Sequence, residues 1–351
     1  MKFNIWNKWD PLKVCMLGNN YTPEFFNGVN PNVETPLKRI CEETLEDLEN
    51  YKEVLQQFGV KVIQPELDRS ERFIDKPKFG MDDLPHYPRG PLQPRDYQLI
   101  LGNKAYSWQV DHPSIAKCLK DYGGTDTILV PRHIRKDFKG SVYGGAKVFM
   151  IGKDVYLDNE YTKYKEMYNY IFKGWRKNTI NVGDTHTDGC FHPIKPGAII
   201  SLSEIQMYEN TFPGWDVCYL PDQSWSVLQP FAELKRKNKG KWWLAGEEDN
   251  DEFTEFVETW LTDWVGYVEE TVFDVNVLVL DEHHVCVSNK NNEKVNTFLK
   301  KHKMEPVYVP WRHRYFWDGG LHCITLDLLR EGNQQDYFPD RKKPVTDIGF
   351  I

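Results

Sequence analysis

A cysteine, a histidine and two aspartates stand in this 351-residue chain in settings that suit attack on an electrophilic carbon. Cys323 closes the run Asp318-Gly319-Gly320-Leu321-His322-Cys323. Its two glycines let the backbone turn sharply or approach a ligand closely, and they deliver the thiol to the β-prone run Ile324-Thr325-Leu326. That place suits a nucleophile; it equally suits a structural thiol, since free cysteine is among the most buried residue types. In Asp184-Thr185-His186-Thr187-Asp188-Gly189, an extended backbone over 185–189 would turn His186 and Asp188 to one face. The alternative there is a hydrogen-bonded structural pair. Asp96, in Pro94-Arg95-Asp96, is a second carboxylate at the mouth of a strand, or else a turn residue paired with Arg95.

The elements that must position these groups repeat. Val148–Ile151, Val155–Leu157, a helix over Tyr161–Trp175 and a strand near Asn178–Val182 form a strand, hairpin, strand, helix, strand unit. Val275–Leu280, Val285–Val287, a helix over Asn292–Lys303 and Pro306–Val309 form another. A third runs from Tyr97–Leu101 through Ala105–Trp108 and a helix at Pro113–Asp121 to Thr127–Val130. Val14–Ile63 and Ala198–Tyr219 fit the unit in part, which makes about five copies and suggests units assembled radially around a shared core. In the first, Thr35 is the expected N-cap with Pro36 at the first helical position and Gly59 as the stop. Residues 68–94, rich in Pro, Asp and Lys, read as a long loop.

Composition narrows the classes. A 40% hydrophobic, 14% aromatic chain can fill a sizeable core, and a net charge of −8 disfavours a general nucleic-acid or anionic-membrane partner. The basic run Lys235–Lys241 is answered by the acidic run Glu247–Glu252, as expected of a solvated excursion, and Trp242, Trp243, Trp260 and Trp264 suit packing better than base stacking. Apolar stretches fall short of a membrane span of about 20 residues, and the amino terminus lacks the pattern of a secretory signal. Seven scattered cysteines without a Cys-x-x-Cys pair read as reduced thiols, so a cytoplasmic protein is expected, and no spacing resembles a metal site.

Four stretches together resemble the arginine:glycine amidinotransferases and, more distantly, the arginine deiminases and dimethylarginine hydrolases, the guanidino-modifying enzymes of the pentein superfamily. They are Asn7-Lys8-Trp9-Asp10-Pro11-Leu12, where the family has Glu at the second position; Pro94-Arg95-Asp96 with Gly102-Asn103; His186 and Asp188 with Pro196-Gly197; and Gly319-Gly320-Leu321-His322-Cys323-Ile324-Thr325 with Asp327 and Arg330.

The resemblance implies one domain over residues 1–351, an α/β fold built as a five-fold pseudosymmetric propeller of strand-strand-helix-strand units, with a charged excursion near 230–270 and the site on the central axis. It implies that Cys323 attacks the central carbon of a guanidinium, that Asp96 and Asp188 hold that planar cation, and that His186 gives a proton to the departing amine and takes one from the incoming nucleophile. Attack on the amidino-cysteine by an amine makes a transferase; attack by water makes a hydrolase of the deiminase kind. A non-catalytic descendant that binds a small molecule is the third reading. A small-molecule guanidino donor and an amine acceptor are the expected partners, with no cofactor, and a second copy of the chain is the one macromolecular partner left open.

The chain also departs from the family. The acid that pairs with the catalytic histidine falls at Gly144 or Tyr143, leaving Asp184 or another carboxylate to substitute, and Lys147 brings a cation nearby. The arginine that binds the donor carboxylate falls near Ile205 and is missing; Arg312, which matches a family arginine before the glycines, or Arg314, is expected to hold an anionic group instead.

Overall fold

The first unit looks incomplete in sequence because its opening strand is the last long strand of the chain. Thr325–Arg330 pairs antiparallel with Leu12–Leu17, setting Cys15 opposite Asp327, and Leu12–Leu17 pairs in parallel with Lys61–Ile63. The computed structural model describes residues 2–67, 78–79, 85–87, 89–107, 112–131, 133–134, 144–158, 164–181, 186–202, 208–220, 243–262, 264–265, 274–345 and 348–349. Tyr143, Asp184, Ile205, the basic run Lys235–Lys241 and Trp242 lie outside these residues, as does most of the long loop, of which a two-residue hairpin, Lys78–Phe79 with Pro85–His86, is described.

Four further sheets repeat the arrangement of the first, an antiparallel pair followed by a parallel third strand. They are Gln98–Leu101, Lys104–Ser107 and Thr127–Leu129; Val148–Ile151, Asp154–Asp158 and Arg176–Asn181; Phe191–Lys195, Ala198–Ser201 and Asp216–Tyr219; and Leu278–Val279, His284–Val287 and Glu305–Tyr308. A helix bridges the second and third strands of each, as a parallel connection requires. The fold is therefore a five-fold pseudosymmetric α/β propeller, closed where the two ends of the chain share one sheet. The fourth unit was hard to see because Pro193 sits inside its first strand, where the register shifts before Lys195.

The helix of the first unit, α1 (Pro31–Gln57), starts earlier than expected. Asn30 caps it by accepting from the Asn32 N–H, and Pro31 takes the first position, where a missing donor costs nothing. Pro36 thus lies inside the helix, at the expense of one backbone bond. The stripe Val33, Leu37, Ile40, Cys41, Leu48, Tyr51 and Leu55 is buried, which holds α1 against the sheets. Trp243 and Trp264 are buried, and Trp264 stacks on Trp317, so these indoles are core. Among the described residues no helix is long and apolar enough to cross a membrane.

Candidate active site

Three separate segments deliver the chemical groups. Asp96 stands on a single helical turn, Pro94–Tyr97, immediately before the strand Gln98–Leu101. His186 is extended but Thr187–Gly189 is a 3-10 turn, so the expected extended stretch over 185–189 is not formed. The tight turn instead buries Asp188 while leaving His186 a third exposed. Cys323 lies in the turn between Gly319-Gly320 and the strand Thr325–Arg330, and it is 5% exposed.

These segments meet. Asp96, His186 and Cys323 bring a carboxylate oxygen, a ring nitrogen and the sulfur all within 4.8 Å of one another. The Cys323 thiol donates to Asp188 Oδ2 at 3.5 Å, and His186 Nδ1 lies 3.6 Å from Asp96 Oδ1. Among the described residues, the buried oxygens Asp96 Oδ1 and Asp188 Oδ1 receive no hydrogen bond. Two buried acceptors beside a sulfur call for a ligand rich in N–H donors, because an unsatisfied buried acceptor is costly. The same three ligand atoms are close enough to hold a metal ion; without a bound cation the thiol keeps its proton.

That state follows from the charges. Burial pushes the Cys323 thiol well above its ordinary range, and Asp188 and Asp96 push it further. Burial likewise raises Asp96 to about 7, with Arg89 opposing it and Asp318 adding to it, and raises Asp188 to about 6 against the pull of His186. His186 is lowered by burial, with Asp188 opposing and Lys147 reinforcing the shift. A planar cation between the two aspartates would reverse the trends at the carboxylates and the thiol, ionising both acids and favouring the thiolate.

No family model matches the sequence. Curated relatives do: the mitochondrial glycine amidinotransferase of Xenopus laevis is 22% identical over 400 aligned positions, covering 95% of this chain and 84% of that protein. The L-arginine:L-lysine amidinotransferase of Pseudomonas savastanoi pv. phaseolicola is 20% identical, covering 83% and 80%. An amidinotransferase from Microseira wollei in the saxitoxin biosynthetic pathway has the same fold, with a TM-score of 0.64, 17% identity and coverage of 96% of this chain and all of that one. The chain is thus similar in sequence and in fold to amidinotransferases over nearly its whole length.

The structure also places the residues at which the chain departs from the pattern it resembles. Gly144, at the position of the missing histidine-pairing acid, faces backbone: a Cβ there would lie 2.0 Å from the Asp96 carbonyl oxygen. No side chain fits, and the described carboxylate that reaches the imidazole is Asp96. Lys147, three residues on, is buried, and its charge acts on both Asp96 and His186. The Arg312 guanidinium is held by α1, with Nε on Asp47 Oδ1 at 2.9 Å and Nη2 on Glu46 Oε2 at 2.7 Å, so it fastens the chain before the glycines to the helix.

Several residues around the cluster were not singled out as functional from sequence. His322 donates from Nδ1 to Asp188 Oδ2 at 2.6 Å and lies parallel to Phe149, with His192 edge-on at 4.7 Å. Asn276 touches the sulfur and is treated below. Arg95 does not pair with Asp96. It reaches the His322 carbonyl at 2.7 Å and Asp327 at 2.6 Å, and Arg330 meets the other Asp327 oxygen at 2.7 Å.

Lys8, where the family has an acid, is buried with Nζ 3.7 Å from Asp327, too far for a hydrogen bond. Its burial, against the attraction of Asp327 and with Arg95 and Arg330 opposing the charge, lowers its pKa to about 7. Lys8→Met is expected to stabilise the protein by about 2 kcal/mol at neutral pH, because Asp327 keeps both arginines. The sign follows from linkage. The unfolded lysine stays protonated up to its ordinary 10.5 while the folded one loses its proton near 7, so the wild type gains stability as pH rises between these values. The advantage of Lys8→Met should be full below pH 7 and shrink towards pH 10, as measured by chemical denaturation across pH.

Proposed function

We propose that this protein moves an amidino group from a guanidino donor to an amine through a covalent amidino-cysteine on Cys323. The observation that carries this is the pair of unpartnered buried oxygens, Asp96 Oδ1 and Asp188 Oδ1, next to a sulfur and an imidazole. A guanidinium is flat, cationic and lined with N–H donors, so paired carboxylates fix its orientation as well as its charge. Amidino transfer is also what the named curated relatives do.

On donor binding the Cys323 thiol gives its proton to His186, and the thiolate adds to the guanidinium carbon, forming a C–S bond. The C–N bond to the leaving amine then breaks, and its electron pair takes a proton from His186. The acceptor amine gives a proton to His186, attacks the same carbon and returns the electron pair to sulfur. Asp96, 3.6 Å from the imidazole, supports the protonated form in each half-reaction. The charge of Lys147 favours the ionised form of Asp96 and the neutral form of His186, and it selects donors that tolerate a nearby cation, such as those carrying a carboxylate. The cytoplasmic placement belongs to this reading and is supported by seven cysteines that are all free.

The test is intact-mass analysis after incubation with arginine, with and without amines such as glycine and lysine. An amidino adduct mapped to Cys323, with ornithine released and the amine converted to its guanidino form, is the expected result. Citrulline and ammonia would make the protein a hydrolase. An unmodified thiol and no product across a panel of guanidino compounds would overturn both and leave a binding protein.

A further inference from the structure

We infer that Asn276 is the positioning residue of the nucleophile: its side-chain amide aims a donor at the Cys323 sulfur and so favours the thiolate. Asn276 precedes the short strand Leu278–Val279 and is 3% exposed. Its Oδ1 accepts the backbone N–H of His322 at 2.9 Å and of Cys323 at 3.1 Å. Its Nδ2 donates to the Asp188 carbonyl at 3.3 Å and to Cys323 Sγ at 3.1 Å.

The orientation of this amide is forced. The Cys323 N–H needs Oδ1 as its acceptor, the His322 N–H points at the same oxygen while also reaching the Asn276 carbonyl at 3.3 Å, and the Asp188 carbonyl takes a donor. Exchanging oxygen and nitrogen would set donor against donor at two bonds and acceptor against acceptor at the third. The sulfur therefore faces N–H. A donor to sulfur stabilises S⁻ more than SH, since charge-assisted hydrogen bonds are the stronger kind, and this bond acts against the upward push of burial and the two aspartates.

The same amide joins the turn that carries His186 and Asp188 to the turn that carries the thiol. Gly320 makes the approach possible: a Cβ there would lie 2.6 Å from Asn276 Oδ1. This role rests on Cys323 acting as a nucleophile, but its test does not require turnover.

The experiment follows alkylation of Cys323 by iodoacetamide against pH, mapped by peptide mass, in wild type, Asn276→Asp and Asn276→Ala. Asn276→Asp keeps an oxygen for the two backbone N–H groups and removes the donor; Asn276→Ala removes the donor without adding charge. Both are expected to move the alkylation midpoint upward and slow the reaction at pH 8 by about 10-fold, the effect of one pKa unit. If amidino transfer is found, kcat should fall more than KM rises. Profiles that superimpose on wild type would overturn the inference and leave Asn276 a structural brace. Should neither variant fold, asparagine labelled with ¹⁵N in the wild-type protein decides. A side-chain amide signal that follows the Cys323 titration and is static in Cys323→Ala supports the role; no such signal overturns it. A protein that never transfers an amidino group would still give a clear answer, so the two failures are distinguishable.

Discussion

Cys323→Ala is expected to lower amidino transfer by on the order of 10⁵-fold or more while the protein stays folded. The size follows from chemistry: without sulfur there is no covalent intermediate, and the two aspartates can orient a guanidinium but cannot attack it. The folding side follows from the surroundings. The sulfur is one of two acceptors of Asn276 Nδ2, so the amide keeps the Asp188 carbonyl when the thiol is gone, and the two backbone N–H bonds to Oδ1 remain. Removing the thiol also leaves Asp188 with its bond from His322. Product formation and the thermal midpoint, measured on one preparation, check both halves. Activity within 10-fold of wild type would rule out Cys323 as the nucleophile, whereas loss of activity with loss of folding would leave its role undecided, so His186→Gln is measured beside it. That variant should also lose transfer, yet retain a thiol that alkylates.

Which of these features the sequence displays depends on how local they are. Cys323, His186, Asp188 and Asp96 were legible because each sits in a short motif whose turn or glycine pair announces an unusual backbone. The third and fifth units were legible because hairpin and crossover helix follow each other along the chain. The first was half hidden, since the strand Thr325–Arg330 that completes it lies at the other end of the sequence. The start of α1 was misplaced because two prolines compete for the first position, and the cap on Asn30 decides for Pro31. Asn276 gave no signal: it lies 47 residues from Cys323, in what reads as an ordinary apolar run. The place of Arg312 before the glycines suggested an anion site, and only the fold shows that α1 brings Asp47 and Glu46 to it. Long-range partners decide what a charged residue does, and neither periodicity nor spacing carries them.

The largest expected loss of stability comes from Asp327→Ala. Asp327 is 1% exposed and binds Arg95 through one oxygen and Arg330 through the other, with Lys8 3.7 Å from the second. These cations come from the turn that carries Asp96, the closing strand and the amino terminus, so one carboxylate ties together the parts that meet at the propeller's closure. Burial alone would raise its pKa; Arg330, Lys8 and Arg95 overcome it and hold the group well below the usual carboxylate range. Because the folded pKa is depressed, this stabilisation is fully present above the unfolded value near 3.9 and is lost only as pH falls through the lower folded value. Removing the carboxylate leaves Arg95 and Arg330 buried without their counter-ion and takes from Lys8 the charge that helps it keep its proton. Breaking a buried pair costs about 3–5 kcal/mol, a large part of the 5–15 kcal/mol that ordinarily holds a domain, so the variant is expected to be largely unfolded or recovered in low yield. Lys8→Met should then act as a partial rescue. At pH 6, where Lys8 is protonated beside Asp327 but costly to protonate without it, the gain should be greater in Asp327→Ala than in wild type, and a double-mutant cycle by urea denaturation at that pH would read the difference as coupling. Equal gains in both backgrounds would mean that Lys8 does not sense Asp327, and that the arginines alone hold the closure.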